Sequence, residues 1–423
     1  MPNHPAKSVQ WPVLVIGPRP DGNGQPQAAY VARSTNDYKD GFAGLSALWN
    51  VLHQLRHVGG DDALPVQYYA PLLALDAAGR YQAAGGGIGG DSVGTGDETY
   101  GGIFIHEQGH AFGLPHAGSS FDDGIYPYSW GSLNGSTWGY DANHKELLAP
   151  FVPTTAASFA NCKTNTFGGK SRTLDSAGRC VKQDPMQSGA GDQAAGYRYA
   201  TFADYSTAVM QRYVEGTTTV DGNGKHVPGS RLLPDAAYAS GYKAWDTIDK
   251  RWVDAPTATS LKGLYGLDRG LPQQREVPVH AIVLTVSNAA TPDVTQIYPP
   301  ISFTGNLLRG IDPTSAADRA SIVPDTSANP WYCRSGGCDF TLRLTYADGS
   351  VRHRLLQGGF RPSNQARGTP AANTQDPLDG GSFVTFAIQV PGDQRLTRIE
   401  LLDTPMAWEG LSASPRVLAR RDL

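Results

Sequence analysis

Residues 101–118 read "GGIFIHEQGHAFGLPHAG". Three of the chain's 10 histidines, His106, His110 and His116, fall inside it. On an α-helix, His106 and His110 stand four residues apart and lie one above the other on the same face. Both imidazoles then point at one place. Glu107 sits beside the first of them, too strained to share that place but able to reach a water held there. Ile105, Gly109 and Phe112 occupy a different strip that can anchor the helix to a core, with Gly109 permitting close approach. Gly113 decides the rest. A helix that ran on would carry His116 away, whereas glycine adopts the left-handed conformation that ends a helix without a Cβ penalty. The chain turns there, Pro115 stiffens the return, and "LPH" brings His116 back to the other two.

Three neutral imidazoles and a water make the open tetrahedral set of a catalytic zinc, because a structural site closes with a fourth protein ligand. Zinc lowers the pKa of its water to about 7 and polarises a carbonyl. Glu107 is placed to take the proton of that water as general base and pass it to a leaving amine. Imidazoles ligate only when neutral, so activity is expected to fall in acid. The spacing H-E-x-x-H-x-x-G-x-x-H resembles the zinc signature of the metzincin metallopeptidases. A distant carboxylate as third ligand, such as Glu146 or Glu215, is disfavoured because Gly113 and His116 already complete the set. His144 reads as a surface helix residue. Metzincins also carry a Met-turn under the metal, and Met186 in "VKQDPMQSGAGD" is the candidate. Tyr197, Tyr199 or a tyrosine of residues 121–141 could stabilise an oxyanion, and nothing in the sequence selects one.

The wider context is more specific. "GGGIGGDSVGTGD" (85–97) leading into the histidine segment, then "GSTWGYD" (135–141) and "DPMQSGAGD" (184–192), resembles the StcE/TagA/dictomallein family of secreted bacterial zinc metallopeptidases. The likeness is closest over about residues 85–215. It implies one Zn2+ per chain on His106, His110 and His116, Glu107 as catalytic base and Met186 as the Met-turn residue. It also implies a mucin-type O-glycosylated protein as substrate. The glycine-rich stretch has no G-K-[ST] and no Rossmann context, so it reads as backbone lining a cleft near an edge strand, where a substrate main chain can pair. Trp130, Trp138 and Tyr140 either present aromatic faces to sugar or pack a loop core.

Composition agrees with an exported, loop-rich protein. The chain has 423 residues, with 50 glycines, 30 prolines and a formal net charge of −4. That balance offers no basic surplus for nucleic acid, and no apolar run approaches the roughly 18 residues of a membrane helix. The opening "MPNHPAKSVQWPVLVIG" lacks a secretory apolar region, and "PVLVIG" reads as a first strand. Four cysteines allow three pairings, of which proximity favours Cys162 with Cys180 and Cys333 with Cys338. Disulfides belong to oxidising compartments, so an extracellular protein is expected; a monomer is expected besides.

The pattern along the chain gives an α+β protein. "DYKDGFAGLSALWNVLHQLRHVGG" (38–60) has Phe42, Leu45, Leu48, Val51, Leu52 and Leu55 at helical spacing, with Gly59 and Gly60 as the stop. "FADYSTAVMQRYVEG" (202–216) is a second helix beyond the histidine one. After residue 257, "VPVHAIVLTVS", "CDFTLRLTYADGSVRHRLL" and "SFVTFAIQV" are strands separated by turn residues, as in a β-sandwich. The expected organisation is a metzincin-like zinc metallopeptidase domain over 1–256 followed by an all-β, sandwich-like domain over 257–423. Three functions fit: an endopeptidase for O-glycosylated proteins, a metzincin of broad protein specificity, or a non-catalytic glycoprotein-binding adhesin. Glu107 argues against the last, since a site without catalysis has no need of the base.

Overall fold

A computed structural model of the chain describes residues 8–99, 101–136, 139–143, 145–167, 169–196, 200–229, 231–255, 268, 270–324, 332–333, 337–362 and 369–423. The fold is mixed, with few helices and many short strands. It divides into two compact units, one holding the described residues of Met1–Leu64, Leu75–Tyr81 and Thr257–Leu423, the other those of Pro65–Ala74 and Gln82–Pro256.

The first unit is built on two antiparallel sheets. In one, the long strand Gln274–Ser287 pairs with Ile301–Leu307 and Gln296–Ile297, and also with Phe383–Pro391. In the other, the order is Val351–Leu355, Phe340–Tyr346, Leu396–Asp403, Arg416–Asp422. Ile282, Leu284 and Val286 of the first sheet share one core with Leu342, Leu344, Ile399 and Leu401 of the second. That is the face-to-face packing of a sandwich, each strand giving alternate side chains to the interior. Burial along Gln274–Ser287 switches from alternating to continuous after Pro278. A strand reads as continuously buried only when both faces are covered.

The second cover is the amino-terminal segment. The apolar stripe of the helix Ala43–Val58 puts Val51 and Val58 into a cluster with Val15, Val283, Tyr298 and Ala387. The Val15 amide donates to the Tyr298 hydroxyl at 2.8 Å, and Trp11 stacks on that ring at 4.1 Å. Asn306 Nδ2 donates to the Gly59 carbonyl at the end of the helix. Residues 8–64 therefore group with the β-rich unit. The helix pattern shows that a face must be buried, and carries no information about which partner buries it.

The second unit holds the histidine segment. Its three-stranded sheet has Val93–Gly96 in the centre, parallel to Tyr68–Pro71 and antiparallel to Gly87–Gly90. Asp91 and Ser92, both at positive φ, form the two-residue hairpin between the last pair. Such primed turns match strand twist. The helix Gly101–Ala111 lies against this sheet, and the helix Asp204–Glu215 brings Tyr213 edge-on to Phe112 at 5.1 Å. Cys162 is bonded to Cys180 in this unit and Cys333 to Cys338 in the other.

Candidate metal centre

The end of the histidine helix is a Schellman turn. Gly113 has φ +89°, its amide donates to the His110 carbonyl at 2.8 Å, and the Leu114 amide donates to Gly109 at 3.1 Å. These are the two bonds that satisfy orphan carbonyls at a helix end, and Leu114 buries itself as the motif requires. The reversal carries His116 to the start of a short helix, Ala117–Asp122. Nε2 of His110 ends 3.2 Å from Nε2 of His106 and 3.2 Å from Nε2 of His116.

The other ring nitrogens explain why those three atoms converge. Nδ1 of His106 donates to the Pro185 carbonyl at 2.8 Å, and Nδ1 of His110 donates to the Leu114 carbonyl at 2.7 Å. A proton on Nδ1 of a neutral imidazole leaves a lone pair on Nε2. His106 and His110 thus aim lone pairs at each other with no hydrogen between them, an arrangement that repels unless a cation lies at the focus. With Zn–N bonds of about 2.0–2.1 Å, tetrahedral nitrogens stand roughly 3.3–3.4 Å apart, close to the spacing here. The donor set fits zinc. Burial holds His106 below the ordinary histidine range and takes His110 down to about 4. Both are therefore neutral and able to ligate near neutral pH.

Glu107 is 5% exposed, and burial pushes its carboxyl up to about 7. The cover over it is glycine. A Cβ on Gly87 would meet Glu107 Cγ at 2.5 Å, and one on Gly89 would meet the Glu107 carbonyl oxygen at 2.0 Å. Only a bare backbone can lie so close, which accounts for the glycine-rich run as an edge strand pressed on the helix.

Below the centre runs the turn Pro185–Gln187, opened by Asp184. Asp184 is fully buried; it accepts from the amides of Met186 and Ala203 and from the Ser206 hydroxyl, at 2.8–2.9 Å. Met186, 1% exposed, seats its sulfur under the helix, where a Cβ on Gly109 would stand 2.2 Å from Sδ. The sequence reading singled out Met186 but missed Asp184, although Asp followed by Pro is a recognisable helix start. Gln187 was missed too.

The aromatic candidates part company. Trp130 adopts a left-handed backbone (φ 47°) and lays its ring over Gly118, with Lys170 Nζ 4.1 Å from the ring centroid. Tyr140 is exposed on a hairpin, opposite the equally exposed Leu147. Trp138, His144, Tyr197 and Tyr199 lie outside the described residues. Glu215 bonds with Gln211 at the end of its own helix.

Among the described residues one other group could collect a cation: His226, Asp246 and Asp249. There Nδ1 of His226 faces Asp246 at 3.0 Å and Asp249 at 3.5 Å, and Arg251 also reaches Asp249. The Arg251 guanidinium already answers Asp249, and the His226 ring faces Asp246. Among the described residues the three histidines have no such counter-group, and they are the stronger centre.

Residues 1–219 match the sequence profile described as Peptidase M66. The chain belongs to this metallopeptidase family. It is 49% identical to a dictomallein of Burkholderia pseudomallei (strain 668) and to one of Burkholderia mallei (strain SAVP1), in each case over 99% of this chain and 58% of the relative. Dictomallein-3 of Dictyostelium discoideum is 42% identical over 99% of this chain and 66% of its own length. The chain thus spans less than two thirds of the curated relatives it matches. The M66 match covers the histidine segment, its glycine cover and the turn of Met186, in keeping with the family resemblance those residues carry.

Proposed function

We propose that this M66 chain is a zinc-dependent endopeptidase that hydrolyses peptide bonds in mucin-type O-glycosylated proteins. The observation that carries the reading is the convergence of three Nε2 atoms at 3.2 Å steps beside the buried carboxyl of Glu107. His106, His110 and His116 would hold one Zn2+, with Met186 beneath them as the Met-turn residue. When bound there, zinc would supply Lewis acidity toward the scissile carbonyl and would acidify water. Glu107 takes the proton of the attacking water and returns it to the departing amine; a base with a pKa near the working pH is best matched to both transfers. Among the described residues the edge strand Gly87–Gly90 pairs with a strand on one side only, so an extended substrate can add on the other, setting its backbone beside Glu107.

Support for a glycoprotein substrate comes from family likeness, with exposed Tyr140 as an available sugar platform and Trp130, already carrying Lys170, as a less open one. The two disulfides fit an extracellular setting. No described helix is long and apolar enough to cross a membrane. The test is incubation with a mucin-type glycoprotein and with the same polypeptide made without glycans, each with and without chelator. Chelator-sensitive cleavage of the glycosylated form alone is expected. Equal cleavage of both would make it a metzincin of broad specificity, and binding without cleavage, unchanged in Glu107→Ala, would make it an adhesin.

A further inference from the structure

Two of the three imidazoles are oriented by a carbonyl on Nδ1, and the third is not. Among the described residues, Nδ1 of His116 has no hydrogen-bonding partner, and the residue is exposed. A ligand histidine is ordinarily aimed by the bond on its other nitrogen. His116 must be aimed through its backbone. Two residues on, the Gly118 amide donates to Gln187 Oε1 at 2.7 Å in a buried contact. Gln187 is itself 3% exposed, and its chain is wedged where a Cβ on Gly131 would meet it at 2.5 Å. A Cβ on Gly118 would stand 2.4 Å from the Trp130 ring and 2.5 Å from Gln187 Oε1, so Gly118 is locked on both sides.

We propose that Gln187 is a positioning residue which, through the Gly118 N–H, holds His116 within reach of the metal. This rests on the reading above that the three histidines bind one ion. It gives the turn after Asp184 three separate duties: the Pro185 carbonyl aims His106, the Met186 sulfur supports the helix beneath His110, and the Gln187 amide fixes the loop of His116. Length and an acceptor oxygen select glutamine. Asparagine is one methylene too short to keep the contact, and methionine matches the shape without an acceptor.

The test uses Co2+ as probe on the full chain. Wild type, His116→Ala, Gln187→Met and Gln187→Glu are compared, with Cys162→Ala/Cys180→Ala as a variant destabilised away from the centre. Cobalt absorption reports coordination, and competition with a chelator reports affinity. Gln187→Met is expected to bind 10–100-fold more weakly, the usual cost of losing a partner behind a ligand. Its spectrum should move toward that of His116→Ala. Gln187→Glu, which keeps an acceptor, should recover affinity and spectrum. A Gln187→Met protein with wild-type spectrum and affinity but a lower Tm overturns the proposal, as does an equal loss of affinity in the cysteine variant. Failure of wild type to bind cobalt at all overturns the metal reading itself, and this proposal with it.

Discussion

The Pro185 carbonyl accepts a hydrogen bond at 2.8 Å from Nδ1 of His106, a residue 79 positions earlier in the chain. That bond fixes which nitrogen of His106 faces the centre, and it does so from the turn that also carries Met186 against Gly109. The helix and the turn beneath it form one device for presenting lone pairs.

Replacing Glu107 with Gln removes the proposed base while keeping the shape that Gly87 and Gly89 cover. The rate of peptide hydrolysis should fall by about 10²–10⁴-fold, with bound metal still at one per chain. Equal loss of metal and activity would show that the carboxyl serves the ion and not the proton.

Stripping the metal should lower Tm, and returning zinc should restore it. At zinc 100-fold above Kd the gain is about 2.7 kcal/mol. His106→Ala should abolish the zinc-dependent part of the thermal shift while leaving a folded protein by circular dichroism.

Gly89 and Gly113 should respond differently to substitution. A Cβ on Gly89 meets the backbone oxygen of Glu107, which cannot swing aside, so Gly89→Ala should cost about 1–3 kcal/mol in denaturant unfolding and depress activity. Gly113 has open space around it and only its positive φ to satisfy. There Asn, which tolerates the left-handed region, should be milder than Val.

The disulfides should rank by the loop each closes. Cys162 and Cys180 are 18 residues apart and Cys333 and Cys338 are 5 apart. Loop entropy gives about 3 kcal/mol for the first and about 2 kcal/mol for the second. Paired Cys→Ala variants compared by denaturant midpoint would show the order.

Stability of the β-rich unit should also fall in acid through Glu400. The Arg343 side chain, 2.7 Å away, holds the Glu400 carboxyl below its ordinary range. A depressed folded pKa means the stabilisation is complete above the unfolded value of about 4.3 and is lost as pH falls through the folded one. Glu400→Gln should flatten that part of the acid unfolding profile.

The convergence of the three histidines was legible because its parts are local. Four-residue spacing sets His106 over His110, and a glycine that ends the helix returns His116, all within a span that helix geometry governs. The helix over 43–58 and the strands after 274 were legible for the same reason. What stayed hidden was long-range: Gln187 reaches Gly118 across 69 residues, and Val15 reaches Tyr298 across 283. Periodicity announces that a surface seeks cover, but a hydrogen bond between distant segments leaves no trace in either one. The glycines at 87 and 89 were visible as a run, yet their purpose needed the helix lying 2–3 Å from where their side chains would be.

The pairing of Val15 with Tyr298 has a consequence for biosynthesis. At about 5–20 residues per second, a ribosome takes roughly 15–60 s to travel between them. For that interval the amphipathic helix of residues 43–58 has emerged without the surface it needs, while the segment bearing the histidines can already have collapsed. Nascent chains stalled before residue 298 should therefore recruit holding chaperones through residues 8–64, and release them once the later strands arrive.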